Sequence, residues 1–233
     1  MKKIVISQRV ISADKGANRD ALEQDYIKYY QKFGVILIPF PNVLEDVEEI
    51  LLELKIDGII LSGGNDINPK FYGETSKEER SYADERDQTE KRLLDFAVKN
   101  KIPVLCECRG TQFLNVYFRG KLIQNIKREV GTEIEHVAAN HEVEITDDSI
   151  ASYLGNKFEV NSYHNQGFSE EGLSKELRMF AKAPDGIIEG IYHPSLPIAG
   201  VLWHPERESP NPDVNKRLIN SFLNREMFWK EDQ

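Results

Sequence analysis

The chain predicts an α/β fold, a mostly parallel central sheet with helices on both faces. Three observations carry that expectation. Short apolar runs alternate with helix-periodic stretches through the first half, turn residues such as Gly34, Pro39 and Gly63 punctuate them, and the second half is richer in strand-like segments. A strand–helix–strand order favours parallel neighbours, because a parallel pair needs a long crossover connection. With 233 residues and 40% hydrophobic content, the chain is long enough for one sizeable core.

Residues 3–7 are a short apolar run broken at Gln8-Arg9. The break comes too early for a signal peptide's apolar region of about 7–15 residues, so the run predicts a first strand in a cytoplasmic protein. Residues 18–33 place Leu22, Tyr26, Tyr29, Tyr30 and Phe33 on one side of a helix, with Gly34 as its terminator. A strand over 35–38 stops at Pro39 and Pro41, and Asn42 is placed to cap a helix over 43–54. A third strand over 57–61 ends in Ser62-Gly63-Gly64-Asn65-Asp66, and 67–82 is polar and loop-like. Residues 84–100 predict a charged amphipathic helix with Leu93, Leu94, Phe96 and Ala97 inward. A buried strand over 103–106 and a helix over 110–118 follow. Strands are then expected at 141–145, 158–161, 178–183, 187–192 and 198–203, and a closing helix at 212–228. No internal repeat or linker divides the chain, so 1–233 is expected to be a single domain.

Thirty Lys and Arg against 39 Asp and Glu leave a net charge of −9. That balance argues against nucleic acid or an anionic membrane surface as partner, since both reward a basic face. No run reaches the roughly 18–20 apolar residues of a membrane helix. The two cysteines, Cys106 and Cys108, sit two apart on an extended segment, with side chains on opposite faces. A disulfide between them is excluded by geometry, and the spacing suits no zinc motif.

The segment Val104-Leu105-Cys106-Glu107-Cys108-Arg109-Gly110-Thr111-Gln112 runs an apolar strand straight into a helix, with a thiol at the join. A tight turn there exposes a nucleophile, and the helix N-terminus favours the thiolate and an adjacent oxyanion. The same residues also read as a buried cysteine in a strand. His204, in Leu202-Trp203-His204-Pro205-Glu206, follows another apolar strand, and Glu206 is placed to orient its imidazole. The alternative is a solvated turn. His193-Pro194 has a similar setting and reads as a loop. Gly63-Gly64 also follows a strand and can offer a backbone N–H to an oxyanion, or is a plain turn.

Six stretches then coincide with those of a known family. They are Ser62-Gly63-Gly64-Asn65-Asp66-Ile67-Asn68-Pro69, Phe71-Tyr72-Gly73-Glu74 and Asp84-Glu85-Arg86-Asp87-Gln88-Thr89-Glu90, and further on Cys108-Arg109-Gly110-Thr111-Gln112-Phe113-Leu114-Asn115-Val116, Val160-Asn161-Ser162-Tyr163-His164-Asn165-Gln166 and Gly200-Val201-Leu202-Trp203-His204-Pro205-Glu206. Together they span nearly the whole chain and resemble the class I glutamine amidotransferase-like family, in particular its free-standing γ-glutamyl hydrolases. The resemblance implies a flavodoxin-like sheet and a triad of Cys108 as nucleophile, His204 as general base and acid, and Glu206 as orienter. It implies oxyanion donors at the backbone N–H groups of Gly64 and Arg109. It places the glutamyl group against Gln112, Asn161, Ser162 and Tyr163, with His164 nearby. Arg86 is a further candidate substrate contact, or equally a surface helix charge. No metal and no organic cofactor is implied.

Three positions depart from the family pattern: Cys106 where Gly is usual, Arg119 where a Gly-Gly pair begins, and Asn165 in place of a second His. The overall likeness is to members that release glutamate from γ-glutamyl-CDP-amidate, leaving cytidine diphosphoramidate for capsule polysaccharide biosynthesis. Arg9, Lys70 and Arg207 are candidate phosphate partners, or solvated charges. Other readings of the same residues are a γ-glutamyl-GABA-type hydrolase, a glutaminase subunit feeding ammonia to a partner synthetase, and a catalytically silent binding module. The sequence sets no oligomeric state.

Overall fold

The computed structural model describes residues 1–12, 16–77 and 82–226. Alternating apolar residues build the centre of the sheet. In β1 (Lys2–Ser7), Ile4 and Ile6 point to one face and Val5 to the other. In β5 (Gly58–Leu61) and β6 (Val104–Glu107), Ile60 and Leu105 join Ile4, while Leu61 and Cys106 join Val5. Such strands bury both faces and need a helical layer on each side. On the Val5 face pack α2 (Val47–Leu54), α3 (Asp84–Asn100) and α4 (Arg109–Tyr117), through residues such as Leu51, Leu93 and Phe113. On the other face lie α1 (Gln24–Tyr30) and α7 (Pro212–Asn224), through Tyr26, Tyr30, Leu218 and Phe222.

The remaining sheet strands are β4 (Val35–Phe40), β7 (Val137–Ile145), β8 (Lys157–Tyr163), β9 (Arg178–Lys182), β10 (Ile188–Tyr192) and β11 (Ile198–Val201). Among the described residues, the sheet order is β4-β1-β5-β6-β11-β10-β9-β7-β8. The first five neighbours pair in parallel, and from β10 onward every pairing is antiparallel. The predicted mostly parallel α/β sheet with helices on both faces is therefore observed. No helix among the described residues is long and apolar enough to cross a membrane.

Local differences have local causes. The stretch expected as a helix from residue 18 opens instead as a strand, β3 (Asn18–Ala21), paired antiparallel with β2 (Arg9–Ser12). Only the segment carrying the tyrosines becomes α1. Pro39 does not end its strand, because β4 is an edge strand and its missing N–H is not needed for pairing. Asn42 caps nothing: it is buried, and its side chain holds Asp20 and the Gln8 carbonyl, while α2 starts later. Two short helices, α5 (Ile126–Val130) and α6 (Asp148–Leu154), went unpredicted, although Asn125 and Asp147 cap them with side-chain acceptors. Met227 and Phe228, the expected end of the closing helix, lie outside the described residues.

The parallel half brings the C-terminal ends of β5, β6 and β11 side by side. Leu61 pairs with Cys106 and Val201 with Glu107, so the residues leaving these strands meet at one edge. Gly110 permits this closeness, because a Cβ there would lie 2.2 Å from the Leu61 carbonyl oxygen. Backbone on both sides cannot move apart without breaking the strand pairing. Gly110→Ala is therefore expected to destabilise the protein by about 3 kcal/mol, the upper end for overpacking, as read from urea unfolding midpoints.

Candidate active site

Cys108 stands at the join of β6 and α4 with φ 50° and ψ −108°, a backbone conformation that side chains rarely adopt. Its own N–H donates to the Val201 carbonyl of β11 at 2.8 Å, which ties the turn to the neighbouring strand. The side chain is directed away from the core that Cys106 enters, as the two-residue spacing requires. Cys106 is fully buried, and burial pushes its thiol well above the ordinary range. Both thiols are free. Cys106 occupies the family's usual glycine position because Gly200 faces it across the strands: a Cβ on Gly200 would lie 3.0 Å from the Cys106 Cβ.

His204 follows β11 and faces Cys108. Gly63 lies between them at the floor, since a Cβ there would sit 3.1 Å from His204 Cε1 and 3.7 Å from Cys108 Cβ. His204 Nδ1 meets Glu206 Oε1 at 2.7 Å, which leaves Nε2 for the sulfur side. Burial works to lower the His204 pKa, but Cys108 and Glu206 outweigh it and carry it up to about 10. The imidazole is thus charged at neutral pH. Burial likewise opposes the Glu206 charge, and His204 overcomes it and holds that carboxyl below its usual value.

Behind Glu206 lies a residue the sequence reading passed over. Glu107 is fully buried and accepts a hydrogen bond from Tyr30 Oη. Burial, and then the Glu206 carboxylate, push its carboxyl well above the usual range, which favours its protonated form. Its signal was available: it is a carboxylate inside the otherwise apolar run of residues 104–106.

The Gly63-Gly64 turn is held from two sides. The Gly63 N–H donates to Tyr26 Oη at 2.9 Å. Arg86 donates through Nη2 to the Ser62 and Gly63 carbonyls at 2.7 and 2.9 Å. With Gly63 engaged, the Gly64 N–H is the better oxyanion candidate, and Gly64 itself has φ 131°. The N–H of Arg109 heads α4, where no intrahelical acceptor exists.

Three of the expected substrate contacts have their side chains engaged within the protein. Arg86 is fully buried and bonds Glu90 and the turn carbonyls, so it is no surface helix charge and shapes the turn. Asn161 spends its amide on backbone: Oδ1 accepts the His204 N–H at 2.8 Å, and Nδ2 donates to the His204 and Glu208 carbonyls. Ser162 is fully buried, with Oγ donating to the His136 carbonyl. Tyr163 alone of this segment faces solvent, 42% exposed, with its ring 5.4 Å from the His204 ring. Gln112 is buried beside the site and donates to the Gln166 carbonyl. His193 is a loop residue whose Nδ1 accepts the N–H groups of Ser195 and Leu196.

Arg109 is buried with Arg86, Asp87 and Glu90 in one cluster, in which Arg109 bonds both carboxylates. Burial lowers Arg109 to about 9 and Arg86 to about 10, so both remain charged at neutral pH and balance the two acids.

The sequence as a whole matches a known protein family. The peptidase C26 model matches residues 4–206. The chain belongs to the peptidase C26 family. It is 32% identical over 228 residues to the γ-glutamyl-γ-aminobutyrate hydrolase of Escherichia coli O157:H7, covering 90% of this chain and 87% of that one. It is 34% identical over 180 residues to protein NtpR of Enterococcus hirae, covering 72% and 74%. A glutamine amidotransferase structure from Thermotoga maritima superposes with a TM-score of 0.60 at 15% identity, over 99% of this chain and 86% of that one, which shows a shared fold.

The proton on Glu107 has a measurable consequence. The folded chain keeps a proton that the unfolded chain releases above the ordinary value of 4.5, so this group costs stability as pH rises past that value. Gln mimics the protonated acid without that cost. Glu107→Gln is expected to melt higher than wild type at about pH 8, with the gap closing toward about pH 5, and Glu107→Ala lower at both. Thermal unfolding across that range checks it.

Proposed function

We propose that this protein hydrolyses a γ-glutamyl N-linked substrate and releases L-glutamate, using Cys108, His204 and Glu206. The observation that carries the reading is the convergence of these three side chains at the C-terminal ends of β6 and β11, beside the Gly63-Gly64 turn. The Cys108 thiolate attacks the γ-carbonyl carbon, and the electron pair of the C=O moves onto oxygen. The N–H groups of Gly64 and Arg109 receive that oxyanion; one such donor is typically worth about 2.7–4 kcal/mol. His204, already charged, gives its proton to the leaving nitrogen as the C–N bond breaks. A γ-glutamyl thioester remains. Water then attacks it, His204 accepts the water's proton, and glutamate leaves with the thiol restored. Glu206 orients the imidazole, with the buried Glu107 carboxyl beside it. Gln112 and Tyr163 are the remaining candidates for the glutamyl group.

The leaving group we favour is the anionic nucleotide conjugate, cytidine diphosphoramidate. Two arginines lie near the triad. The Arg9 side chain, ion-paired with Glu23, packs over Gly64, within 3.2 Å of where a Cβ would be, and Arg207 lies 4.3 Å over the Tyr163 ring. Lys70 stands on a separate exposed turn. The second reading is a γ-glutamyl-GABA-type hydrolase, supported by the name of the E. coli relative. A glutaminase subunit would show the same chemistry only with its synthetase present.

Glutamate release from γ-glutamyl-CDP-amidate, γ-glutamyl-GABA and glutamine, each alone, separates these readings. Highest kcat/KM on the nucleotide conjugate is expected; highest on γ-glutamyl-GABA selects the second reading. Release from none of them overturns the free-standing hydrolase. Cys108→Ala should lower turnover by about 10⁴-fold or more. Arg207→Ala should raise KM for the nucleotide conjugate about tenfold, as loss of one charge-assisted contact, and leave KM for γ-glutamyl-GABA unchanged.

A further inference from the structure

We propose that His136, His141, His164 and Glu189 form a closed, tetrahedral binding site for a divalent transition metal, zinc by the chemistry of its ligands. The four side chains are all buried, and their ligand atoms lie within 4.8 Å of one another. Glu189 Oε1 is 3.5 Å from His136 Nδ1, 3.5 Å from His141 Nε2 and 3.4 Å from His164 Nε2. These separations are too long for hydrogen bonds between the groups. They match the three edges that meet at one corner of a tetrahedron, since ligands at about 2.0–2.1 Å from a zinc ion stand about 3.3–3.4 Å apart, and the ring nitrogens lie within 4.8 Å of one another.

The outer contacts dictate which nitrogens face inward. His141 Nδ1 bonds the Glu142 carbonyl at 3.2 Å, and His164 Nδ1 bonds the Gln166 carbonyl at 3.0 Å. A carbonyl only accepts, so both Nδ1 atoms carry the hydrogen and both Nε2 atoms of the neutral rings present lone pairs. His136 is held by its other nitrogen, with Nε2 at 2.9 Å from Asp185 Oδ2, leaving Nδ1 inward. Each ring thus has the outer acceptor that metal-bound histidines have. Inside, three imidazole nitrogens and both oxygens of Glu189 have no hydrogen-bond partner among the described residues. With the three rings neutral, acceptors alone converge on one point, and a metal cation there satisfies them in place of the proton that Asp185 and Glu189 otherwise favour on His136.

Three imidazoles and one carboxylate favour zinc, cobalt or nickel over magnesium or calcium. Four protein ligands leave no open position, which is the signature of a structural metal. No metal was expected from the sequence; the four ligands are none of the residues assigned to the triad or the oxyanion hole. Its place in the fold gives the metal a task. His136 precedes β7, His141 lies in β7, His164 follows β8 and Glu189 lies in β10. The metal joins the strands of the antiparallel half. The His136 carbonyl also accepts from Ser162 Oγ and the His164 N–H, so the segment that carries Asn161, the brace of His204, is fastened at the same point.

The test uses the full chain with Cys108→Ser, which removes the thiol at the β6–α4 turn as a competing ligand. Protein from zinc-supplemented culture is expected to hold one equivalent by elemental mass spectrometry after desalting. Stripping with dipicolinate should lower Tm; zinc or cobalt should restore it, and magnesium should not. Cobalt should give visible d–d bands of tetrahedral intensity. Glu189→Gln and His164→Gln should lose the bands and the equivalent. Absence of stoichiometric metal together with no Tm response to zinc or cobalt overturns the proposal, as does full metal retention in both variants. In that event the cluster is held by protons shared between the rings and Glu189. Should a variant fail to fold, stripping and reloading the Cys108→Ser protein decides the matter alone.

Discussion

The turn at Cys108 is the constraint on which the rest of the site depends. A strand that ends inside a parallel sheet must pass into its helix within one residue, and Cys108 does so at φ 50°. That conformation is held by three contacts: the Cys108 N–H on Val201, Gly110 against the Leu61 carbonyl, and Thr111 Oγ1 donating to Val201 and Cys106 carbonyls. All three run to strands on either side. The strain at one residue is therefore balanced by the pairing of β5, β6 and β11, and the thiol emerges where helix N–H groups and His204 already are.

Charge is buried around this turn in two groups that remain separate. Arg86, Arg109, Asp87 and Glu90 form a balanced cluster whose task is shape, because its donors end on the carbonyls of the Gly63-Gly64 turn and on Asn65. His204, Glu206 and Glu107 form the second group, in which one proton is retained on Glu107 so that the net charge matches a single imidazolium. Desolvation makes any unpaired charge here expensive, so each group is closed upon itself. The left-handed φ of 71° at Arg119, where the family usually has glycine, belongs to the same economy of turns: the backbone form is kept although the residue type has changed.

Much of this was legible in the chain. The alternating runs specified the parallel half, since both-face burial imposes apolar residues on β1, β5 and β6 regardless of context. Cys108 and His204 were legible as candidates because each follows such a run. Less legible was everything that depends on a partner distant in sequence. The side chains of Asn161, Ser162 and Arg86 donate to backbone carbonyls tens of residues away, and no local pattern announces those partners. The ribbon of β2 and β3 was misread because a polar strand at the surface has no apolar alternation to announce it.

What the sequence by itself determined is the class of fold, the strand ends that carry chemistry, and the two faces on which Cys106 and Cys108 lie. Those follow from local periodicity, which each segment expresses alone. Only the tertiary structure decided which polar side chains brace and which are left to act, that Glu107 holds a proton, and that four ligands from β7, β8, β10 and their flanks meet. These depend on burial and on distances between segments, and neither quantity exists until the sheet has formed.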